Sequence, residues 1–260
     1  PLSEEVSSKI EEVFRQHGSN APLRVAYGQC ECGAAITTQT QLSETVKGSV
    51  GIPLPGVTIG IFDDDFNELP YYKRGQILAN TPCSMLGYYK NESATKKYFY
   101  IDKNGTKWNC TGDIGFIDEA GNLFVQGRAS DFSMINGEKI YNFDIEKIIM
   151  EIEGIKMCDV LEFDDNGTEK LAVHIIFNEE LQDSLEADKD YLEEQLHKIQ
   201  QYIFEKTGNE NMVPFIFKIR KSFPYAKSGK RDVARIKQEK DGFINLDTNF
   251  STKLQKKLSH

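Results

Sequence analysis

The sequence predicts an α+β protein in two parts, a β-rich stretch reaching about residue 129 and a smaller α+β unit after it. Three observations carry this expectation. Short apolar runs punctuated by Pro and Gly fill residues 50–126, helical and alternating patterns take turns after Ser130, and 260 residues make two domains the natural division. The expected parts are 1–129, 130–245 and a polar tail, 246–260.

The elements follow in order. From Ser3, S-E-E-V-S-S-K-I-E-E-V-F pairs a capping Ser and early acids with Val6, Ile10, Val13 and Phe14 on one face, which predicts a helix closing near Gly18. Leu23–Tyr27 is a short apolar strand, followed by strands around Val57–Phe62 and Gln76–Ala79. The acidic D-D-D between Phe62 and Phe66 reads as a turn, because Asp tolerates turn conformations and charge belongs in solvent. Ile114–Ile117 and Leu123–Gln126 flank E-A-G-N as a second hairpin, so Val50–Gln126 reads as a small barrel or a strongly bent sheet. Beyond the boundary at Arg128–Asp131, Asn142–Ile152 has helical Ile spacing. Met157–Phe163 and Leu171–Phe177 alternate as strands, Leu185–Lys206 reads as one long charged helix, Val213–Ile219 as a strand and Val233–Lys240 as a last helix.

Composition narrows the function classes. Hydrophobic residues make up 39% and charged residues 27%, as in an ordinary globular protein, and no run approaches the ~20 apolar residues of a membrane span. A net charge of -9 argues against nucleic acid as a partner, since such binders concentrate Lys and Arg. The five scattered cysteines do not form a disulfide framework and suit a reducing cytoplasm. The start at Pro1, already inside a helical pattern, suggests a fragment.

Four segments can carry chemistry. A-Y-G-Q-C-E-C-G, residues 26–33, runs a strand into a glycine and presents Glu31, a carboxylate able to hold magnesium beside phosphates. It contains G-x-x-x-x-G, but Ala34 and Ala35 replace the K-[ST] of a Walker phosphate loop. W-N-C-T-G-D, residues 108–113, lies ahead of an apolar strand and brings an Asp able to accept both hydroxyls of a ribose. V-Q-G-R-A-S-D, residues 125–131, sets a guanidinium and a short polar pair where the first part ends. F-P-Y-A-K-S-G-K-R, residues 223–231, brackets Lys227, Lys230 and Arg231 between Pro224 and Gly229. Each alone has an ordinary reading: a solvated loop, a turn, a surface Arg, a basic turn.

Their order is specific. Y-G-x-x-E, T-G-D, G-R-x-x-D with G-x-K-I, and P-x-x-x-S-G-K together resemble the acyl-adenylate-forming (AMP-binding) family of acyl-CoA synthetases, luciferases and peptide-synthetase adenylation domains. The opening P-L-S-E-E is similar to the end of that family's G-G-A-P-L-S-E-E stretch, and the match runs to about Arg235. The resemblance implies the β-rich end of a large adenylating domain followed by a small mobile domain. It implies that Tyr27 stacks on adenine with Gly28 and Cys30 beside the nucleotide, that Glu31 stands at the magnesium, and that Asp113 and Arg128 hold the ribose. It puts the hinge at Ser130 and Asp131, and sets Gly137 and Lys139 on the loop facing the acceptor-thiol channel. It makes Lys230 the catalytic lysine that reaches both substrate carboxylate and α-phosphate.

The implied reaction joins a carboxylic acid to ATP, releasing pyrophosphate, and transfers the acyl group to CoA or a phosphopantetheine arm. ATP/AMP, Mg2+ and CoA are the implied cofactors and substrates. The sequence departs from the pattern at Cys30, where Thr is usual, at Ser130 for Asp or Lys, at Met134 for Lys, and at Tyr225 and Ala226 after Pro224. The family's Ser/Thr/Gly-rich phosphate loop is absent from these residues and would lie upstream of Pro1, so the upstream part of the same enzyme is an expected partner and the fragment alone is expected to be inactive. Loading of a carrier protein and a non-catalytic nucleotide-binding module with the same fold stay open.

Overall fold

The computed structural model describes residues 4–40, 45–165, 167–227, 229, 231–239 and 241–246. The chain divides into two compact units, Pro1–Ser130 and Asp131–His260. Among the described residues no helix is long and apolar enough to cross a membrane.

The first unit opens with helix α1 (Glu4–Gln16), which the chain leaves at Gly18 with φ +79°. Strand β1 (Ala26–Gln29) pairs antiparallel with β2 (Ala34–Thr38), and β2 pairs with β3 (Ile52–Pro53). Gly28 is needed there for proximity: a Cβ at its position would lie 1.9 Å from the Ala34 carbonyl oxygen. A second, five-stranded sheet follows, from β4 (Thr58–Phe62) and β5 (Gly75–Asn80), then helix α2 (Glu92–Tyr98), β6 (Phe99–Ile101), β7 (Lys107–Ile117) and β8 (Leu123–Arg128). Its order is β4-β5-β7-β6, with β8 also on β7. Three of its turns are closed in the same way, by a carboxylate accepting amides two and four residues on, or four alone. Asp63 takes Asp65 and Asn67, Asp102 takes Asn104 and Thr106, and Asp118 takes Asn122.

Strand alternation puts Ile77 and Ala79 on one face with Ile36, Ile59, Ile61 and Leu123, and Leu78 on the other with Phe62 and Trp108. Both faces bury apolar area, at roughly 1.5–3 kcal/mol for each fully buried large side chain. The α+β class is as expected, and the sheets among the described residues are open, so the small barrel offered as one form of this stretch is not formed. The acidic turn and the E-A-G-N hairpin form as read. W-N-C-T-G-D does not precede a strand but lies inside β7, because Trp108, Asn109 and Thr111 are buried there.

The second unit begins with a hairpin of β9 (Phe132–Ile135) and β10 (Glu138–Tyr141), whose two-residue turn has Asn136 at φ +50° and Gly137 at φ +80°. Asn-Gly is the pair that accepts this conformation at both central positions. Helix α3 (Asn142–Ile149) leads to the long hairpin β11 (Ile155–Asp165) and β12 (Thr168–Phe177). Helices α4 (Glu179–Ala187) and α5 (Lys189–Thr207) form the crossover to β13 (Ile216–Ile219), which lies parallel to β12. Helix α6 (Val233–Lys237) and β14 (Ile244–Asn245) complete the order β11-β12-β13-β14. The core joins Ile145 and Ile149 to Val173, Ile175, Leu196, Ile203 and Phe217.

The single helix expected over Leu185–Lys206 is two helices. Asp188 leaves helical geometry at φ -133°, ψ 108°, and its carboxylate accepts the amides of Asp190 and Tyr191, ending one helix and capping the next. The expected tail lies outside the described residues beyond Leu246.

Candidate functional site

Tyr27, Asp113 and Arg128 meet in the first unit. In register on adjacent strands, Asp113 of β7 faces Arg128 of β8, and the Arg128 Nε lies 3.1 Å from Asp113 Oδ1. Tyr27 of β1 donates its hydroxyl to Asp113 Oδ2 at 2.6 Å. Gly112 has φ +72°, and the Asp113 amide donates to Thr111 Oγ1, whose hydroxyl donates to the Ile77 carbonyl. Thr111 therefore fixes the backbone on which Asp113 sits.

Burial raises the Asp113 pKa above the ordinary carboxylate range, while the Tyr27 hydroxyl and Arg128 charge pull it back. Burial, and then the Asp113 charge, push the Tyr27 phenol well above its usual value, so it stays a donor. Arg128 is 61% exposed against 8% for Asp113, so solvent screens the ion pair and its contribution to stability is small. A carboxylate offers about four lone-pair sites. With one donor on each oxygen, Asp113 keeps capacity for two further hydroxyls.

These groups line a cavity of about 860 Å³. Tyr27, Gly28, Asp113 and Arg128 border it together with Glu11, Arg24 and Lys47. That volume suits a mononucleotide-sized ligand.

Glu31 and Cys30 are not among the cavity's lining residues. They ride on a short 3-10 turn, Cys30–Cys32, closed by Gly33 at φ +81°. The Glu31 carboxylate accepts the Tyr88 hydroxyl at 2.9 Å, and its carbonyl accepts the Met85 amide. Cys30 is an exposed free thiol. Among the described residues no three His, Cys, Asp or Glu side chains cluster to hold a metal.

The remaining residues singled out in the sequence lie at or beyond Ser130. The Ala129 amide donates to the Gly112 carbonyl in the first unit, whereas Asp131 is tied in the second by the side-chain and backbone amides of Asn142. Exposed Ser130 stands between those two ties. Gly137 forms the β9–β10 turn, and Lys139 lays its ammonium 4.9 Å from the Phe132 ring and 5.0 Å from the Tyr141 ring. The hairpin is steadied by Glu138, which accepts side-chain amides of Asn209 and Asn211. Lys230 lies outside the described residues, as does Ser228. The flanking chain is described: the Asp232 amide donates to the Pro224 carbonyl, and Tyr225 bridges Arg231.

Thr111 and Tyr88 were not singled out from sequence. Thr111 stands within T-G-D and could have been read with it; Tyr88 lies in an ordinary G-Y-Y run, and only folding brings it to Glu31.

The model of the AMP-binding enzyme family matches residues 1–89. The long-chain-fatty-acid–CoA ligase of Escherichia coli O6:H1 is 34% identical over 134 residues, covering 52% of this chain and 23% of the ligase. The 2-succinylbenzoate–CoA ligase of Listeria monocytogenes serotype 4b is 34% identical over 181 residues, covering 69% of this chain and 35% of the ligase. The solved O-succinylbenzoate coenzyme A synthetase of Bacillus subtilis, in complex with ATP and magnesium ion, superposes with TM-score 0.60 at 26% identity, covering 86% of this chain and 42% of that one. The chain thus spans about a third or less of the two curated relatives. Its motifs, its fold and these likenesses agree, and the chain belongs to the AMP-binding enzyme family.

Proposed function

We propose that this chain supplies the ribose-binding face and the lysine-bearing small unit of an ATP-dependent acid–CoA ligase. The observation that carries the reading is the convergence of Tyr27, Asp113 and Arg128 on one nucleotide-sized cavity. Asp113 accepts the two ribose hydroxyls with its remaining lone pairs, Arg128 holds it in place and donates toward the same sugar, and Tyr27 offers its ring to adenine beside Gly28 and Cys30.

Glu31 would hold a magnesium ion beside the phosphates as a single carboxylate without a protein cage. The ion would neutralise phosphate charge when bound. Lys230 supplies a cation where a carboxylate attacks a phosphate. Two like charges ~4 Å apart repel by about 4 kcal/mol at an effective dielectric near 20, so a preplaced ammonium lowers the barrier as the new bond forms. Ser130 and Asp131 absorb the backbone change between half-reactions, and Gly137 and Lys139 line the path of the CoA thiol. The partners are a carboxylic acid, ATP, CoA and the remainder of the enzyme. A cytoplasmic site keeps the five free thiols reduced.

The test is carboxylate-dependent ATP–pyrophosphate exchange on the full-length protein across short, long and aromatic acids, with Lys230→Ala alongside. Exchange with one acid class that collapses in the variant supports the reading. A folded protein that binds ATP and exchanges with none turns the reading toward a nucleotide-binding module.

A further inference from the structure

The segment that carries Lys230 is anchored at its far end by a buried cluster that nucleotide binding does not use. Arg231, the next residue, donates from Nη1 to Asp159 Oδ1 and to the Cys158 carbonyl, both at 2.9 Å, and its guanidinium lies 5.7 Å from the ring of buried Phe223. Asp159 is 5% exposed and sits midway along β11, the first strand in the sheet order. Its Oδ2 is buried with no hydrogen-bond partner among the described residues. The Glu146 carboxyl of α3 lies beside Asp159, and Glu146 is itself held by the Val160 amide at 2.9 Å. Burial, reinforced by the charges of Asp159 and Asp131, pushes the Glu146 pKa up to about 7.

Successive Cα atoms are ~3.8 Å apart across a trans peptide. A guanidinium clamped at residue 231 therefore fixes the chain immediately after Lys230. The two ends of the segment are joined by the Asp232–Pro224 and Tyr225–Arg231 pairings.

We propose that Arg231 is a positioning residue for Lys230, clamped on Asp159 and the Cys158 carbonyl. The proposal rests on the reading of Lys230 given above. It makes the adenylating half-reaction depend on a buried ion pair of the small unit, and leaves the acyl-transfer half-reaction independent of that pair.

The experiment uses the full-length protein with Arg231→Met, Arg231→Lys, Asp159→Asn and Lys230→Ala. Pyrophosphate exchange, acyl transfer from supplied acyl-adenylate to CoA, and hydrogen exchange across residues 223–232 are measured for each. Arg231→Met is expected to lower exchange kcat by about tenfold or more, to leave the KM for ATP and acyl transfer within about twofold, and to speed hydrogen exchange across 223–232 but not across β12. Arg231→Lys should recover part of the loss, since an ammonium can still reach Asp159. If Arg231→Met does not fold, Asp159→Asn, which keeps the shape and an acceptor but removes the charge, is read in its place.

Unchanged hydrogen exchange in 223–232, or unchanged pyrophosphate exchange while Lys230→Ala abolishes it, overturns the positioning role alone. Equal loss of both half-reactions also overturns it, by showing that Arg231 only holds the unit together. An inert Lys230→Ala sinks the reading of Lys230 and this proposal with it.

Discussion

The Tyr27 hydroxyl stands 2.6 Å from Asp113 Oδ2, joining the first strand of the chain to the seventh. The bond occupies one acceptor site of the carboxylate that ribose would use, so the two substitutions have unequal effects. Asp113→Ala should weaken AMP binding to the full-length protein by about 10- to 100-fold, as expected for hydrogen bonds to a charged group. Tyr27→Phe keeps the ring and should change affinity by less than about threefold. Calorimetric titration with AMP decides it, and an Asp113→Ala variant that binds normally would remove Asp113 from the site.

Gly28 sets how closely β1 can approach β2. Gly28→Ala places a methyl 1.9 Å from the Ala34 carbonyl oxygen, a backbone atom that cannot yield alone. A loss of roughly 2–4 kcal/mol is expected in urea denaturation, with distortion of the turn that carries Glu31. A loss below about 0.5 kcal/mol would mean that the strands part easily at this point.

Asp188 both stops α4 and caps α5. Asp188→Ala removes the acceptor for two amides and should cost about 1 kcal/mol, while Asp188→Asn should cost only a few tenths. Equal stability of the Ala and Asn variants would show that the helix break is enforced by packing rather than by the cap.

Glu146 ties stability to pH. Its folded pKa is pushed up from 4.5 to about 7 by burial, so between those values the native protein holds more protons than the unfolded chain. Stability from this group is fully present below the unfolded value and is lost as pH rises through about 7. The buried Asp159 is raised in the same direction. Glu146→Gln should flatten the fall between about pH 5 and pH 8 and make the protein more stable at the upper end, by up to ~3 kcal/mol. Urea midpoints across that range test this, and a slope as steep in Glu146→Gln as in the wild type would place the proton elsewhere.

Much of the fold was legible because local chemistry determines it. Val6, Ile10, Val13 and Phe14 announced α1 by spacing alone, although Val6 and Val13 stay exposed within this chain. Acidic turns were legible because an Asp carboxylate reaches amides only two to four residues away. The break at Asp188 was obscured by amphipathic spacing that runs almost unbroken through it, and the β9–β10 hairpin was missed although its Asn136-Gly137 turn is a sequence-readable signal. The W-N-C-T-G-D segment was misread as preceding its strand because Asn, Thr and Gly look like turn residues until long-range bonds such as Thr111 to the Ile77 carbonyl are seen.

By itself the sequence determined the α+β class, most of the helices and strands, and the order of motifs that marks the family. Those properties depend on residue type and on spacing within a few positions. Only the tertiary structure decided that the strands form open sheets, that Tyr27, Asp113 and Arg128 share one cavity, and that Arg231 is held by Asp159 beside Glu146. Each of those joins residues far apart in the chain. Burial then sets the Asp113 and Glu146 pKa values, and the solvent a side chain loses depends on everything packed around it.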